Sequence, residues 1–87
     1  MTEDDIIRLG NSAEQTLASD AFNTAMKELD AAQIESWANG QFKTPQEREE
    51  AYALIRGARM FRSRLVAMLE NAKLSKAQAE RRIELRR

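Results

Sequence analysis

The side chains best able to perform chemistry in this sequence are carboxylates, because cysteine and histidine are both absent. Their absence removes thiolate nucleophiles, imidazole bases, disulfides and the usual zinc sites. The densest group of acids, Glu47, Glu49 and Glu50, could bind a divalent cation. These acids directly follow Thr44-Pro45, however, and acids in the first turns of a helix are stabilised by its dipole. We therefore expect a helix start at this position and no metal site.

Catalytic sequence motifs are also missing. The sequence has no GxxxxGK[ST], GxGxxG, GxSxG or HExxH motif and no EF-hand loop. Acid or base catalysis would have to use carboxylates, lysines or Tyr52. The prediction is a protein without enzymatic activity, cofactor or small-molecule substrate.

Charge is separated along the chain, although the formal net charge is zero. Residues 1–50 carry eleven acidic and four basic side chains, a net charge of −7, and residues 51–87 carry three acidic and ten basic ones, a net charge of +7. An acidic helix packed on a basic helix within one molecule would explain this separation. Two functional explanations stay open: a basic segment that binds nucleic acid, and oppositely charged faces that join copies head to tail.

Residues 73–87 form the most basic segment, with six basic and two acidic side chains. Its arginines could contact phosphates in a salt-dependent, sequence-independent way. Because two glutamates interrupt the run and no aromatic residue is interleaved, a solvated helix end is the favoured alternative. The candidate partner-binding residues here are Arg81, Arg82, Arg86 and Arg87.

The elements that carry these residues are predicted to be helices, because glycine and proline are scarce and helix formers are abundant. Thr2 is the predicted N-cap of a short first helix, with a predicted fray or break at Gly10-Asn11-Ser12. Ser19-Asp20 predicts the start of a second helix over about 20–38, closed by Asn39-Gly40.

The third helix has the strongest local signal. Thr44-Pro45-Gln46-Glu47 is a capping box with proline at the first helical position, and it predicts a helix over 45–72. Apolar residues then repeat every seven positions in two interleaved series, Ala51, Ala58, Leu65 and Ala72, and Leu54, Phe61 and Met68.

The predicted fold is an all-α antiparallel hairpin of helices 20–38 and 45–72, with the short N-terminal helix and a helical or frayed basic tail. Residues 1–72 would form the hairpin domain and 73–87 the tail or helix extension. Because the third helix would be roughly 42 Å long, it would overhang its partner and leave apolar side chains partly uncovered. The candidate partner-binding residues on this overhang are Leu65, Met68 and Leu69.

The predicted packing also assigns positions to the aromatic residues and to Arg62. Four aromatic residues on or beside the apolar faces are predicted core residues: Phe22, Trp37, Tyr52 and Phe61. Phe42 either staples the third helix or is exposed. Arg62 lies on the apolar face, where it either meets Asp20 and the Phe22 ring or extends to solvent.

Size limits how much of this chain can be buried. A 9.9 kDa chain is expected to keep roughly 5,200 Å² of surface when folded and to bury about 64% of its unfolded surface. Such a thin core usually depends on regular helix packing or on a partner chain, so we expect a homo-oligomer or a larger protein assembly. The acidic N-terminus is unlike a signal peptide and no apolar run is long enough for a membrane span, which indicates a cytoplasmic location.

One family resemblance covers about residues 18–73. It consists of Asp20-Ala21-Phe22 with Trp37, then Thr44-Pro45, and a long helix ending in Leu69-Glu70-Asn71. This pattern resembles small helical-hairpin proteins encoded among bacteriophage head and virion-morphogenesis genes. The resemblance implies a non-catalytic assembly role in the host cytoplasm or the virion.

From these observations we predict an assembly or adaptor protein that oligomerises or docks on a larger partner. One alternative is a DNA-associated accessory protein that uses the basic tail. The other is a small regulator or inhibitor of a host protein, because binding proteins of this size share the same composition.

Overall fold

The computed structural model describes residues 1–86 and consists of three α-helices, which confirms the all-α class. Helix α1 is Glu3–Ala18, α2 is Asp20–Ala38 and α3 is Pro45–Leu85. Within residues 1–86 there is no β-strand.

The first two helices begin at the predicted caps. The Thr2 hydroxyl accepts a hydrogen bond from the Asp5 N–H at 3.1 Å, and the Asp5 carboxylate accepts one from the Thr2 N–H at 3.2 Å. At the start of α2 the Ser19 hydroxyl accepts from the Phe22 N–H at 3.3 Å. These bonds satisfy amides that have no partner within their own helix.

The turn between α2 and α3 also follows its sequence signals. Gly40 has φ +65°, the left-handed conformation expected of a residue that closes a helix. Thr44 caps α3 by accepting from the Glu47 N–H at 3.2 Å. The Glu47 carboxylate accepts from the Lys43 N–H at 2.7 Å, so the return bond reaches one residue beyond the cap.

The predicted break at Gly10-Asn11-Ser12 is wrong, since α1 is continuous from Glu3 to Ala18. Gly10 is buried where α1 crosses α3. A β-carbon on Gly10 would collide with the β-carbon of Ala72 and lie 2.9 Å from the Met68 carbonyl oxygen. The glycine therefore permits a close helix crossing and does not interrupt the helix.

Helices α1 and α2 follow one another along α3 and run antiparallel to it. Arg82 of α3 pairs with Glu3, and Lys76 donates to Asn11 at 2.9 Å. Further toward the N-terminus of α3, the Phe61 and Phe22 rings are 6.5 Å apart, and Arg59 lies 4.0 Å from Asp30. The sequence numbers rise in α1 and α2 as they fall in α3.

The third helix is longer than the predicted 45–72, because it continues without interruption to Leu85. Segment 73–85 is thus a helix extension that lies beside α1. The closest helix packing is between α1 and the C-terminal half of α3. It is not within the predicted hairpin of α2 and α3.

The molecule is a rod of 67 × 24 × 16 Å with a radius of gyration of 19.0 Å. A compact chain of this length would have a radius of about 12 Å. The difference follows from a 41-residue helix that has only one layer of helices beside it.

Candidate interaction surfaces

The α1·α3 contact is built from small residues. Ala13 and Ala72 are buried, Ala72 with only 1% of its surface exposed, and Gly10 is buried against Ala72. Small side chains let the two helix backbones approach closely. This half of the rod has the molecule's best-packed interface.

The remainder of the molecule buries very little apolar surface. Within residues 1–86 the buried hydrophobic side chains are three alanines, Ala13, Ala51 and Ala72. Eleven larger hydrophobic residues are exposed. The total accessible surface is 7050 Å², about 1,800 Å² more than expected for a compact chain of this mass.

One exposed apolar surface is the series Leu54, Phe61 and Met68, here called the heptad surface. Their exposed fractions are 52%, 59% and 39%. The companion series is better covered, with Ala51 and Ala72 buried and Leu65 half-buried. Helices α1 and α2 thus cover one row of the α3 heptads and leave the neighbouring row open.

A second apolar surface, here called the aromatic groove, lies between α2 and α3. It has a volume of about 310 Å³, and its apolar walls are Ile34, Trp37, Tyr52 and Ile55. Gln33 and Arg59 also line it. The prediction of Trp37, Tyr52 and Phe61 as core residues is therefore wrong, because each is more than half exposed.

Phe42 packs back onto α2. Its ring meets Trp37 edge to face, with 6.0 Å between the ring centres and 81° between the planes. Phe42 also lines a shallow cleft with Ala51 and Leu54. It is half-buried, an outcome between the predicted staple and a fully exposed side chain.

The predicted overhang of α3 is partly covered by α1. Leu65 and Leu69 are half-buried, and Met68 lines a small cleft with Ile6 and Leu9 of α1. Of these three predicted partner-binding residues, Met68 is the most exposed and belongs to the heptad surface. Their binding role stays a prediction.

The predicted arginine cluster is divided by the fold. Arg81, Arg82 and Arg86 are all exposed, and Arg82 forms an ion pair with Glu3. Arg87 lies outside the described residues. A phosphate-binding surface at this end would have to form without the free use of Arg82.

The charge separation is partly explained by packing inside the molecule. Within the described part of the chain, both ion pairs between helices join the acidic first half to the basic second half: Glu3 with Arg82, and Asp30 with Arg59. Arg62 is exposed and, across residues 1–86, makes no ion pair with Asp20 or any other acid. Most of the opposite charges therefore remain available to a partner.

The acids at the start of α3 act as expected of a helix terminus. The Glu47 carboxylate accepts a hydrogen bond from the Lys43 N–H in the turn, and Glu50 accepts one from Gln46 at 3.4 Å. Glu49 is exposed. In the part of the chain that the structure describes, no group of three or more acids is arranged to hold a metal ion.

The perturbed carboxyl group is Asp5. Hydrogen bonds from the Thr2 backbone and hydroxyl, followed by Arg8 at 3.3 Å, hold the pKa of Asp5 below its usual value. Because these partners belong to the helix cap, the shift reports a structural role.

None of the described helices is both long enough and apolar enough to cross a lipid bilayer.

No protein family, curated protein or solved structure matches this chain. The features of this chain that bear on its function are the two apolar surfaces and the distribution of charge.

Proposed function

We propose that this protein is a non-catalytic assembly component that works by associating with other protein chains, including copies of itself. The observation that carries the proposal is that the chain buries very little apolar surface for its length. The chain forms 41 residues of continuous helix, yet its buried hydrophobic side chains within residues 1–86 are three alanines.

Burial on this scale is small for an independent domain. Alanine contributes little apolar area, and an isolated helical chain with so thin a core is marginal in water. The exposed leucine, methionine and aromatic side chains supply the missing area once another chain covers them. A role in virion assembly, which the sequence resemblance implies, is one setting for such a component.

The alternative of a DNA-associated protein draws less support from the charges. A nucleic-acid surface needs several free cations on one side, and Arg82 is already paired with Glu3. The exposed apolar area has no role in phosphate binding, whereas it is what a protein interface requires.

The test is sedimentation equilibrium from about 1 to 100 µM, at low and high salt, with and without duplex DNA. We expect a mass above 9.9 kDa that rises with concentration and persists in high salt, because apolar burial resists screening. A 9.9 kDa species throughout this range would overturn the proposal. Association that requires DNA and disappears in high salt would favour the alternative.

A further inference from the structure

We infer that a second copy of this chain packs antiparallel along the heptad surface, about a two-fold axis close to Gly57 and Phe61. This inference rests on the proposed function and names the partner and the orientation. Four features of α3 and α2 support it.

The first feature is the spacing of the exposed side chains. Leu54, Phe61 and Met68 are seven residues apart, and seven residues at 100° each bring them to nearly the same side of α3. This is the pattern of a helix that contacts another helix over several turns. Within the described chain, α1 and α2 leave this row substantially exposed.

The second feature is Gly57 in the middle of the row. Glycine in a helix interior costs roughly 0.5 to 1 kcal/mol relative to alanine, and Gly57 has nothing within 4 Å of where a β-carbon would stand. The packing within one chain therefore gives no reason for it. Gly57 lies between Leu54 and Phe61 on the same side of the helix, where it leaves room for the Phe61 ring of a second copy.

The third feature is the edge of α2 beside this row. Ile34 and Trp37 meet α3 on the side of the aromatic groove. Ala25 and Ala32 lie on the opposite edge of α2, the edge next to Leu54 and Phe61, and both are exposed. Because these residues are small, a helix lying on the heptad surface can approach both α2 and α3.

The fourth feature fixes the orientation. Glu50, Gly57 and Arg64 form the adjoining row, again seven residues apart. With Gly57 opposite the partner's Phe61, Glu50 lies about 6 Å along the axis from the partner's Arg64, and the two Arg64 side chains are roughly 15 Å apart. A parallel pair would instead set Glu50 beside Glu50 and Arg64 beside Arg64, which is unfavourable.

The rod exposes more surface than a compact chain of its mass. The excess over the whole rod is about 1,800 Å², and an interface along the heptad surface, at the roughly 800 Å² per partner of a standard interface, would cover part of it. A second copy also meets the same surface on its partner, as a two-fold interface requires.

The closing experiment compares matched substitutions by sedimentation equilibrium after the wild-type mass is known. Leu54→Gln alters the heptad surface, and Leu74→Gln is the control, because Leu74 is the same residue type and is similarly exposed at 60% but lies roughly 120° to 160° around α3 from the heptad surface. We expect Leu54→Gln to weaken association at least about tenfold and Leu74→Gln to change it less than about twofold. Circular dichroism of both variants checks that the helices are retained.

Orientation is tested by charge reversal. Glu50→Arg should weaken the dimer by about three- to tenfold, and Glu50→Arg with Arg64→Glu should restore it, because the double variant exchanges the two charges across the interface. A double variant as weak as the single one would overturn the antiparallel arrangement.

The absence of cysteine allows an independent check by cross-linking. An oxidised mixture of the Leu54→Cys and Arg64→Cys variants should give mainly the mixed 54–64 disulfide, since these positions face each other across the axis. Predominant 54–54 disulfides would indicate a parallel pair and overturn the inference.

The outcomes separate the two proposals. A monomeric wild-type chain overturns the proposed function. A wild-type oligomer that is equally insensitive to Leu54→Gln and Leu74→Gln overturns the heptad surface as its interface and leaves the proposed function standing.

Discussion

The two halves of the rod are held together differently. Beside α1, the C-terminal half of α3 has a close crossing at Gly10 and Ala72, with Ala13 also buried. Where α2 lies beside the N-terminal half of α3, the contact involves larger side chains that remain mostly exposed, such as Trp37 of α2 and Phe61 of α3. Close packing of small residues makes a self-contained contact, whereas loose packing of large ones leaves a surface that a second chain can cover.

The largest expected effect comes from removing the outer part of the close contact. Truncation after Ala72 deletes the helix extension that pairs with Asn11 and Glu3 of α1. We expect a loss of about 2 to 3 kcal/mol, which corresponds to about 10–20 °C in the thermal midpoint of a domain this small. Circular dichroism should show that more helix is lost than the deleted residues contained, because the N-terminal turns of α1 lose their partner.

The control is truncation after Leu85, which removes only Arg86 and Arg87 and should leave the midpoint nearly unchanged. From sequence alone, the sparse apolar pattern of 73–87 predicts a shift of only a few degrees for the longer truncation. A shift that small, with helicity lost only from the deleted residues, would show that the contact between α1 and the extension contributes little stability.

The next effect concerns the helix crossing. Gly10→Ala would gain helix propensity of about 1 kcal/mol, but the added methyl group collides with Ala72 and crowds the Met68 carbonyl oxygen. Overpacking typically costs about 1 to 3 kcal/mol, so we expect a net destabilisation of up to about 2 kcal/mol by urea denaturation at fixed protein concentration.

The matched controls for this crossing are Ser12→Ala, an exposed position on the same helix, and the double variant Gly10→Ala with Ala72→Gly. Ser12→Ala should be neutral or slightly stabilising, and the double variant should recover part of the loss. If Gly10→Ala stabilises the protein as much as Ser12→Ala does, the two helices are not in close contact at Gly10.

The sequence predicted local features better than long-range ones. The caps at Thr2, Ser19 and Thr44 were predictable because each depends on hydrogen bonds within a few residues of the chain. The role of Gly10 was not predictable from the sequence, because a glycine that weakens a helix locally can still permit a close crossing with a helix about sixty residues away. The same limit explains why α1 was not predicted as the main partner of α3.

The candidate surface was partly predictable. The heptad spacing that places Leu54, Phe61 and Met68 in one row is visible in the sequence. Which row stays exposed depends on how α1 and α2 lie along α3. Sequence periodicity alone therefore could not show that Trp37 and Tyr52 are exposed.

A smaller effect is expected at the start of α3, in the loosely packed half. Thr44→Ala removes the hydroxyl that accepts from the Glu47 N–H and should cost about 0.5–2 kcal/mol. Gln46→Ala, in the same exposed turn, is the control and should be nearly silent. Equal denaturation midpoints for the two variants would mean that this cap contributes nothing to stability.

The smallest effect is the pH dependence of the α1 cap. Because hydrogen bonds from Thr2 and the nearby Arg8 lower the pKa of Asp5 in the folded chain, its stabilisation is fully present above the unfolded value, about 3.9, and is lost as pH falls through the lower folded value. The difference in thermal midpoint between wild type and Asp5→Asn should therefore stay constant from pH 7 to about 5 and shrink below about pH 4. Asp4→Asn, an exposed acid in the same turn with no capping hydrogen bond among residues 1–86, is the matched control and should show a smaller difference. A difference for Asp5→Asn that grows as the solution becomes more acidic would contradict the assigned direction of the pKa shift, because the carboxylate would then be less favourable in the folded chain than in the unfolded one.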